Sequence, residues 1–293
     1  MIDNICREII KSLNIHAFVE TGTDMGETVA EVAGWFSAMD PDFGKIYDYV
    51  TTGARCYSLN SKPIKYPVFT DVGKSRFNLF SVDIDRHSFE NAERLFKTNL
   101  NIKLFHENSS IFLQKFIGNN LFKSAETMFF LDAHWGQYWP LRDELAQILK
   151  LEKSVIIIDD FFVPKRSNRR RPHGDFGFDF YYGRILCWGY IYDLFKSIDI
   201  SVYYPTCSNQ YHRGFVLLFK GYDGKELDFF KNMPVENIDK NDPLHKNPVP
   251  VSLWAYFDFR HLIRSIIPLS LLRGAIRLFQ KLTRRIFREQ SSQ

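Results

Sequence analysis

The sequence predicts an α/β protein built on a doubly wound, mostly parallel sheet of Rossmann type. An antiparallel hairpin is expected to close one edge, with a helical appendage at the C-terminus. Three observations lead there. Phe18 to Gly26 read FVETGTDMG, a strand that runs into a glycine turn and then a helix. Short apolar runs then alternate with helical stretches as far as Ile158. Beyond that point, two strand-like runs are separated only by a polar turn. Strands that are apolar along their whole length are buried on both faces, as in a parallel sheet covered by helices on both sides.

The elements follow in order. Met1 to Asn14 is a mixed polar and apolar helix without the apolar core of a signal peptide. Val19 and the residues before it form the first strand, and Glu27 to Phe36 the first helix of the repeating pattern. Ser37 to Lys74 is too long for a simple connection and reads as an insertion with structure of its own. Asn78–Ile84, Asn101–Phe105, Thr127–Leu131 and Ser154–Ile158 are strands two to five. Helices at Ser88–Asn99, Ser110–Phe116 and Pro140–Leu149 separate them, the last with proline at its first turn. Phe162 to Arg184 is a polar, basic loop, and Ile185 to Lys196 a helix. Ser201–Tyr204 and Gly214–Phe219 make the closing hairpin. The expected domains are 1–226 with its insertion at about 37–75, a linker at 227–250, and a tail at 251–293.

The composition supports a large core: 45% of the 293 residues are hydrophobic, and 28 are phenylalanine. Cys6, Cys56, Cys187 and Cys207 lack metal-finger or CxxC spacing and read as reduced thiols of a cytoplasmic protein. No run is long and apolar enough to span a bilayer. The tail carries eight basic residues against two acidic ones, a net of +6 against −2 for the rest of the chain. Its apolar residues, Leu262, Ile263, Ile266, Leu269, Leu272, Ile276, Phe279, Leu282 and Ile286, recur at mostly three- and four-residue steps. That pattern suits an anionic membrane surface or packing on a protein, including a second copy of this chain. Pro268 interrupts it. Nucleic acid is not an expected partner.

The turn Glu20-x-Gly22-x-x-x-Gly26, the acidic end of strand two at Asp83, Glu107-Asn108-Ser109, Leu131-Asp132-Ala133-His134-Trp135 and Asp159-Asp160 form a series of rim motifs. With them the chain resembles the class I S-adenosylmethionine-dependent methyltransferases over roughly Ile15 to Phe219. It is most similar in style to the macrocin O-methyltransferase type and to sugar O-methyltransferases of bacterial surface-polysaccharide synthesis. The resemblance implies that Glu20, Gly22, Thr23 and Gly26 lie beneath the methionine part of the cofactor. Asp24 stands where many members have glycine. Asp83 would accept from the ribose hydroxyls, with Asp85 either its near alternative or a helix cap. Asn108 would meet the adenine amine through its carbonyl, beside Ser109. Asp132 also falls in the cofactor set.

Carboxylates at Asp132, Asp159 and Asp160, at adjacent strand ends, would repel unless protonated or bridged by a cation. Oxygen ligands suit Mg²⁺, and the resemblance implies a divalent ion at these three residues. A vicinal diol chelated there would lose a proton more easily. His134 and Asp132 are rival candidates for the base. Glu144 reads as structural, a solvated or capping group, because Leu141, Leu145 and Ile148 make the buried face of its helix. Lys165, Arg166, Arg169, Arg170, Arg171, His173 and Arg184 cluster in the loop after Asp160 and suit an anionic or lipid-linked acceptor.

The expected function is O-methylation of a sugar or glycan hydroxyl. The alternatives are an NAD- or nucleotide-sugar-binding enzyme of similar topology and an inactive membrane-surface protein. The turn lacks G-x-G-x-x-G spacing, and paired aspartates have no evident use in hydride transfer.

Overall fold

The computed structural model describes residues 2–24, 26–51, 65–118, 127–133, 138–163, 180–181, 184–206 and 214–242. The tail at 251–293, His134 and most of the basic loop lie outside them, as do Cys56 and Cys207.

In chain order the elements are α1 (Ile2–Ser12), β1 (Ala17–Thr21), α2 (Glu27–Met39), β2 (Lys45–Thr51), β3 (Lys65–Thr70) and β4 (Asn78–Asp83). Next come α3 (Arg86–Phe96), β5 (Ile102–His106), α4 (Ser109–Gly118), β6 (Thr127–Leu131), α5 (Leu141–Ile148) and β7 (Ser154–Ile158). The series ends with β8 (Phe180–Tyr181), β9 (Arg184–Ile185), α6 (Trp188–Phe195), β10 (Ile200–Pro205), β11 (Val216–Lys220) and β12 (Val235–Ile238).

Eight strands form one sheet in the order β12-β10-β11-β7-β6-β1-β4-β5. The pairings β7–β6, β6–β1, β1–β4 and β4–β5 are parallel. β11 runs antiparallel to β7, and β10 antiparallel to β11. This is a Rossmann-like sheet, doubly wound and closed by an antiparallel hairpin.

The strands divide their side chains between two cores. Along β6, Met128 and Phe130 join the layer of α1, α2 and α3, while Phe129 and Leu131 join that of α4, α5 and α6. β7 does the same with Val155 and Ile157 against Ile156 and Ile158. Both faces are covered, so alternation of polar and apolar residues is not needed and the runs read as continuously apolar. α1 is part of this fold: Ile5, Cys6, Ile9 and Ile10 are buried in the first core.

The insertion contains its own hairpin, β2 paired antiparallel with β3. The expected linker is different. From Leu227 onward the chain keeps packing on the sheet. Phe230 is buried and stacks on Tyr203 with ring centroids 4.8 Å apart. β12 then pairs with β10 as an edge strand. Trp188 Nε1 donates to the Lys240 carbonyl at 2.8 Å. The polar, proline-containing composition concealed a strand whose single buried anchor is Ile238. α6 begins at Trp188 rather than Ile185, because Arg184 and Ile185 pair with Phe180 and Tyr181 and Cys187 is extended at φ −143°.

Candidate functional site

The parallel sheet aligns its rim by register. Thr21 is opposite both Val82 and Leu131, and Leu131 is opposite Ile158. One residue further on stand Gly22, Asp83, Asp132 and Asp159. The ladder continues through this row: Gly22 N–H donates to Val82 O at 3.0 Å, Asp132 N–H to Thr21 O at 3.0 Å, and Asp159 N–H to Leu131 O at 3.2 Å. The chain winds outward from β1 through β4 and β5, then returns to β6 on the other side of β1. The carboxyl rim between β1 and β6 is therefore the switch point where such sheets bind ligands.

Gly22 is required by the protein itself. It has φ +86°, and a Cβ there would lie 2.8 Å from the Asp132 carbonyl oxygen. Gly26, at φ +76°, would place a Cβ 3.0 Å from the Phe96 ring. One glycine lets β1 pass β6, and the other lets α2 pack on α3. Asp24 adopts the left-handed conformation at φ 42° with an exposed side chain, so the missing glycine is absorbed by backbone strain.

Glu20 and Thr23 are joined beneath the turn through Ser81. Glu20 is 1% exposed and turned under the rim. The Ser81 hydroxyl donates to its Oε2 at 2.5 Å, and Thr23 Oγ1 lies 2.6 Å from Ser81 Oγ. Burial pushes the Glu20 carboxyl up to about 8, against the opposing bonds from Ser81 and Thr28. These side chains brace the turn from within through Ser81. Ser81, a lone polar residue in the apolar run NLFSVD, was the overlooked partner.

Asp83 is 9% exposed, at the rim. Its Oδ2 accepts from Asp24 N–H at 2.9 Å and its Oδ1 from Asp85 N–H at 2.8 Å. Burial raises its carboxyl above the ordinary range. Asp85 is the N-cap of α3, accepting from Ser88 N–H at 2.8 Å. Asn108 is also tied into local structure. Its carbonyl accepts from Ser110 N–H at 3.0 Å and Ser110 Oγ at 2.7 Å, capping α4. Ser109, the first residue of α4, is buried.

Asp132, Asp159 and Asp160 line one pocket at the ends of β6 and β7, with Trp139, Glu144 and Leu186 among the other walls. Asp160 is buried and left-handed at φ 53°. Among the described residues no group of three or more His, Cys, Asp or Glu side chains is gathered closely enough to hold a metal ion. The three aspartates share a pocket without forming the ligand set expected for Mg²⁺.

Glu144 is not solvated. It is 0% exposed, and neither of its oxygens makes a hydrogen bond among the described residues. The hydroxyls of Ser109 and Thr21 lie near enough to influence its carboxyl but outside hydrogen-bond geometry. Burial pushes it up to about 7. The signal was in the spacing: Glu144 is i+3 from Leu141, on the same face as Leu145 and Ile148.

No family model matches the sequence, and no curated protein matches it. Among solved structures it is similar to the O-methyltransferase from Bacillus cereus in complex with SAH. That match has 11% identity and a TM-score of 0.44, over 74% of this chain and 80% of that one. It is also similar to the O-methyltransferase TomG from Streptomyces achromogenes, at 10% identity and a TM-score of 0.44, over 75% of this chain and 79% of that one. At this identity neither likeness assigns a substrate or a site residue to this chain.

Proposed function

We propose that this protein is an S-adenosylmethionine-dependent O-methyltransferase acting on a hydroxyl of a sugar or glycan. The carrying observation is the row Gly22, Asp83, Asp132 and Asp159 across the switch point. Each Asp83 oxygen accepts one backbone N–H and keeps acceptor capacity for a ribose hydroxyl. Asp132 ends β6 beside the switch point and lines the pocket between β6 and β7. S-adenosylmethionine supplies an electrophilic methyl group when bound. Asp132 or His134 takes the proton as the acceptor oxygen attacks. No step is routed through a divalent ion, because the aspartates are not assembled to hold one.

Calorimetry of the full-length protein with SAH, followed by labelled methyl transfer to bacterial glycans, tests the reading. SAH is expected to bind, and transfer is expected to persist in excess chelator. Binding of NAD⁺ in place of SAH would favour the dehydrogenase alternative. Loss of transfer on chelation, restored by Mg²⁺, would return the ion to Asp132, Asp159 and Asp160.

The tail at 251–293 is proposed to hold the enzyme against an anionic membrane, beside a lipid-linked acceptor. Each basic residue near such a surface contributes about 1 kcal/mol. Among the described residues no helix is long and apolar enough to cross a membrane. Full-length protein is expected to float with anionic liposomes at low salt, while a chain ending near Pro250 stays behind. Equal soluble recovery of both would reject the membrane in favour of protein packing.

A further inference from the structure

We propose that Ser81 is a positioning residue for the cofactor: it holds the turn after β1 in shape through Thr23 and touches no ligand itself. The inference rests on the methyltransferase reading above. Ser81 is 0% exposed, inside β4 and opposite Glu20 of β1 in register. Its hydroxyl proton goes to Glu20 Oε2 at 2.5 Å. Its oxygen lies 2.6 Å from Thr23 Oγ1, which completes the pair as donor. Two residues on, and so on the same face of the strand, Asp83 accepts from the next residue of the turn, Asp24 N–H, at 2.9 Å. β4 thus grips successive residues of the turn with two side chains, one from below and one at the rim.

The backbone of the turn depends on that grip. Gly22, Asp24 and Gly26 all have positive φ, at 86°, 42° and 76°. Asp24 is not glycine, and a left-handed residue of this kind persists only where its surroundings over-determine it. Packing alone does not call for a hydroxyl at position 81, because its neighbours Leu79, Phe80 and Val82 are buried among apolar residues. Alanine there would leave Glu20 and Thr23 without the atom that joins them. A turn released from β4 spends only part of its time in the shape that receives a ligand. The apparent affinity then falls by that fraction, with no contact to the ligand lost.

The test uses full-length native protein, Ser81→Ala, Thr23→Val and the double variant. SAH affinity is read by calorimetry, and amide hydrogen exchange of the turn by NMR. Ile9→Val, a core change in α1, is the control for stability alone. Ser81→Ala and Thr23→Val are each expected to weaken SAH binding by about three- to tenfold. The double variant should lose no more than the larger single loss, because both substitutions remove one shared bond. Exchange at Asp24 and Gly26 should quicken in both single variants, while Ile9→Val lowers Tm and binds SAH as the native protein does. Native SAH affinity in Ser81→Ala overturns the proposal. Additive losses in the double variant also overturn it, since Thr23 would then act on the ligand directly. So does an equal loss of affinity in Ile9→Val, which would make the effect one of stability. Where Ser81→Ala does not fold, Thr23→Val decides, because it keeps the bond from Ser81 to Glu20: weaker binding with native exchange in the turn overturns the proposal, and weaker binding with quickened exchange upholds it. A native protein that binds no SAH overturns the methyltransferase reading, and the proposal with it.

Discussion

Gly22→Val is expected to destabilise the whole sheet rim, with any loss of cofactor binding following from that. The backbone at position 22 has φ +86°, a conformation a β-branched residue adopts only at a cost of roughly 1–3 kcal/mol. The added Cβ would also meet the Asp132 carbonyl oxygen at 2.8 Å and the Ala133 nitrogen at 3.0 Å. Those are backbone atoms at the end of a central strand. They cannot rotate aside as a flexible side chain would, and forcing them apart adds about 1–3 kcal/mol. The two effects together predict a loss of about 2–6 kcal/mol, a fall in Tm of at least roughly 4 °C. Thermal and urea denaturation followed by far-UV circular dichroism checks this. A variant that melts within about 2 °C of the native protein would show that the rim can yield and that the close approach is unimportant.

Glu20→Gln is expected to remove a pH-dependent weakness from the native fold. The sign follows from linkage. The folded carboxyl is raised to about 8 from its ordinary 4.5, so the folded state binds this proton more tightly than the unfolded state. The stability it supplies is complete below about 4.5 and is lost as pH rises toward about 8, where the loss levels off. Within that window one such group changes stability by up to about 1.4 kcal/mol per pH unit. Glutamine is neutral throughout, and its side-chain oxygen can still accept from Ser81. Urea denaturation at intervals from about pH 5 to about pH 8 should show the variant gaining on the native protein as pH rises. Parallel curves would mean that Glu20 ionises freely and that the buried chain to Ser81 and Thr23 is misassigned. Glu144 should add a similar dependence over a window ending near 7.

Much of the fold is legible in the sequence. β6 and β7 begin and end where the apolar runs TMFFL and SVIII do, because strands buried on both faces leave no ambiguity of period. The closing hairpin was legible for a related reason: a short polar turn between two apolar runs permits only antiparallel pairing. The edge strand β12 was not legible. Val235 to Ile238 anchors one side chain in the core and exposes two others, so its sequence resembles a loop. Its placement depends on the open edge of β10, which lies some thirty residues earlier in the chain.

The candidate site divides along the same line. By itself the sequence determined which residues end each parallel strand, and so which of them share a rim. A regular ladder with two-residue periodicity carries that information locally. Asp83, Asp132 and Asp159 fell into one row for this reason, beside Gly22. What the polar atoms do once there was decided only by the tertiary structure. Glu20 turns inward to Ser81, 61 residues away. Asn108 spends its carbonyl on the end of its own helix. Glu144 is closed into the core without a partner among the described residues. The physical reason is that hydrogen-bond capacity belongs to each residue, whereas its satisfaction depends on which donors and acceptors packing brings within about 3 Å. A strand's period is written in the chain, but its partners across the fold are set by how the layers close.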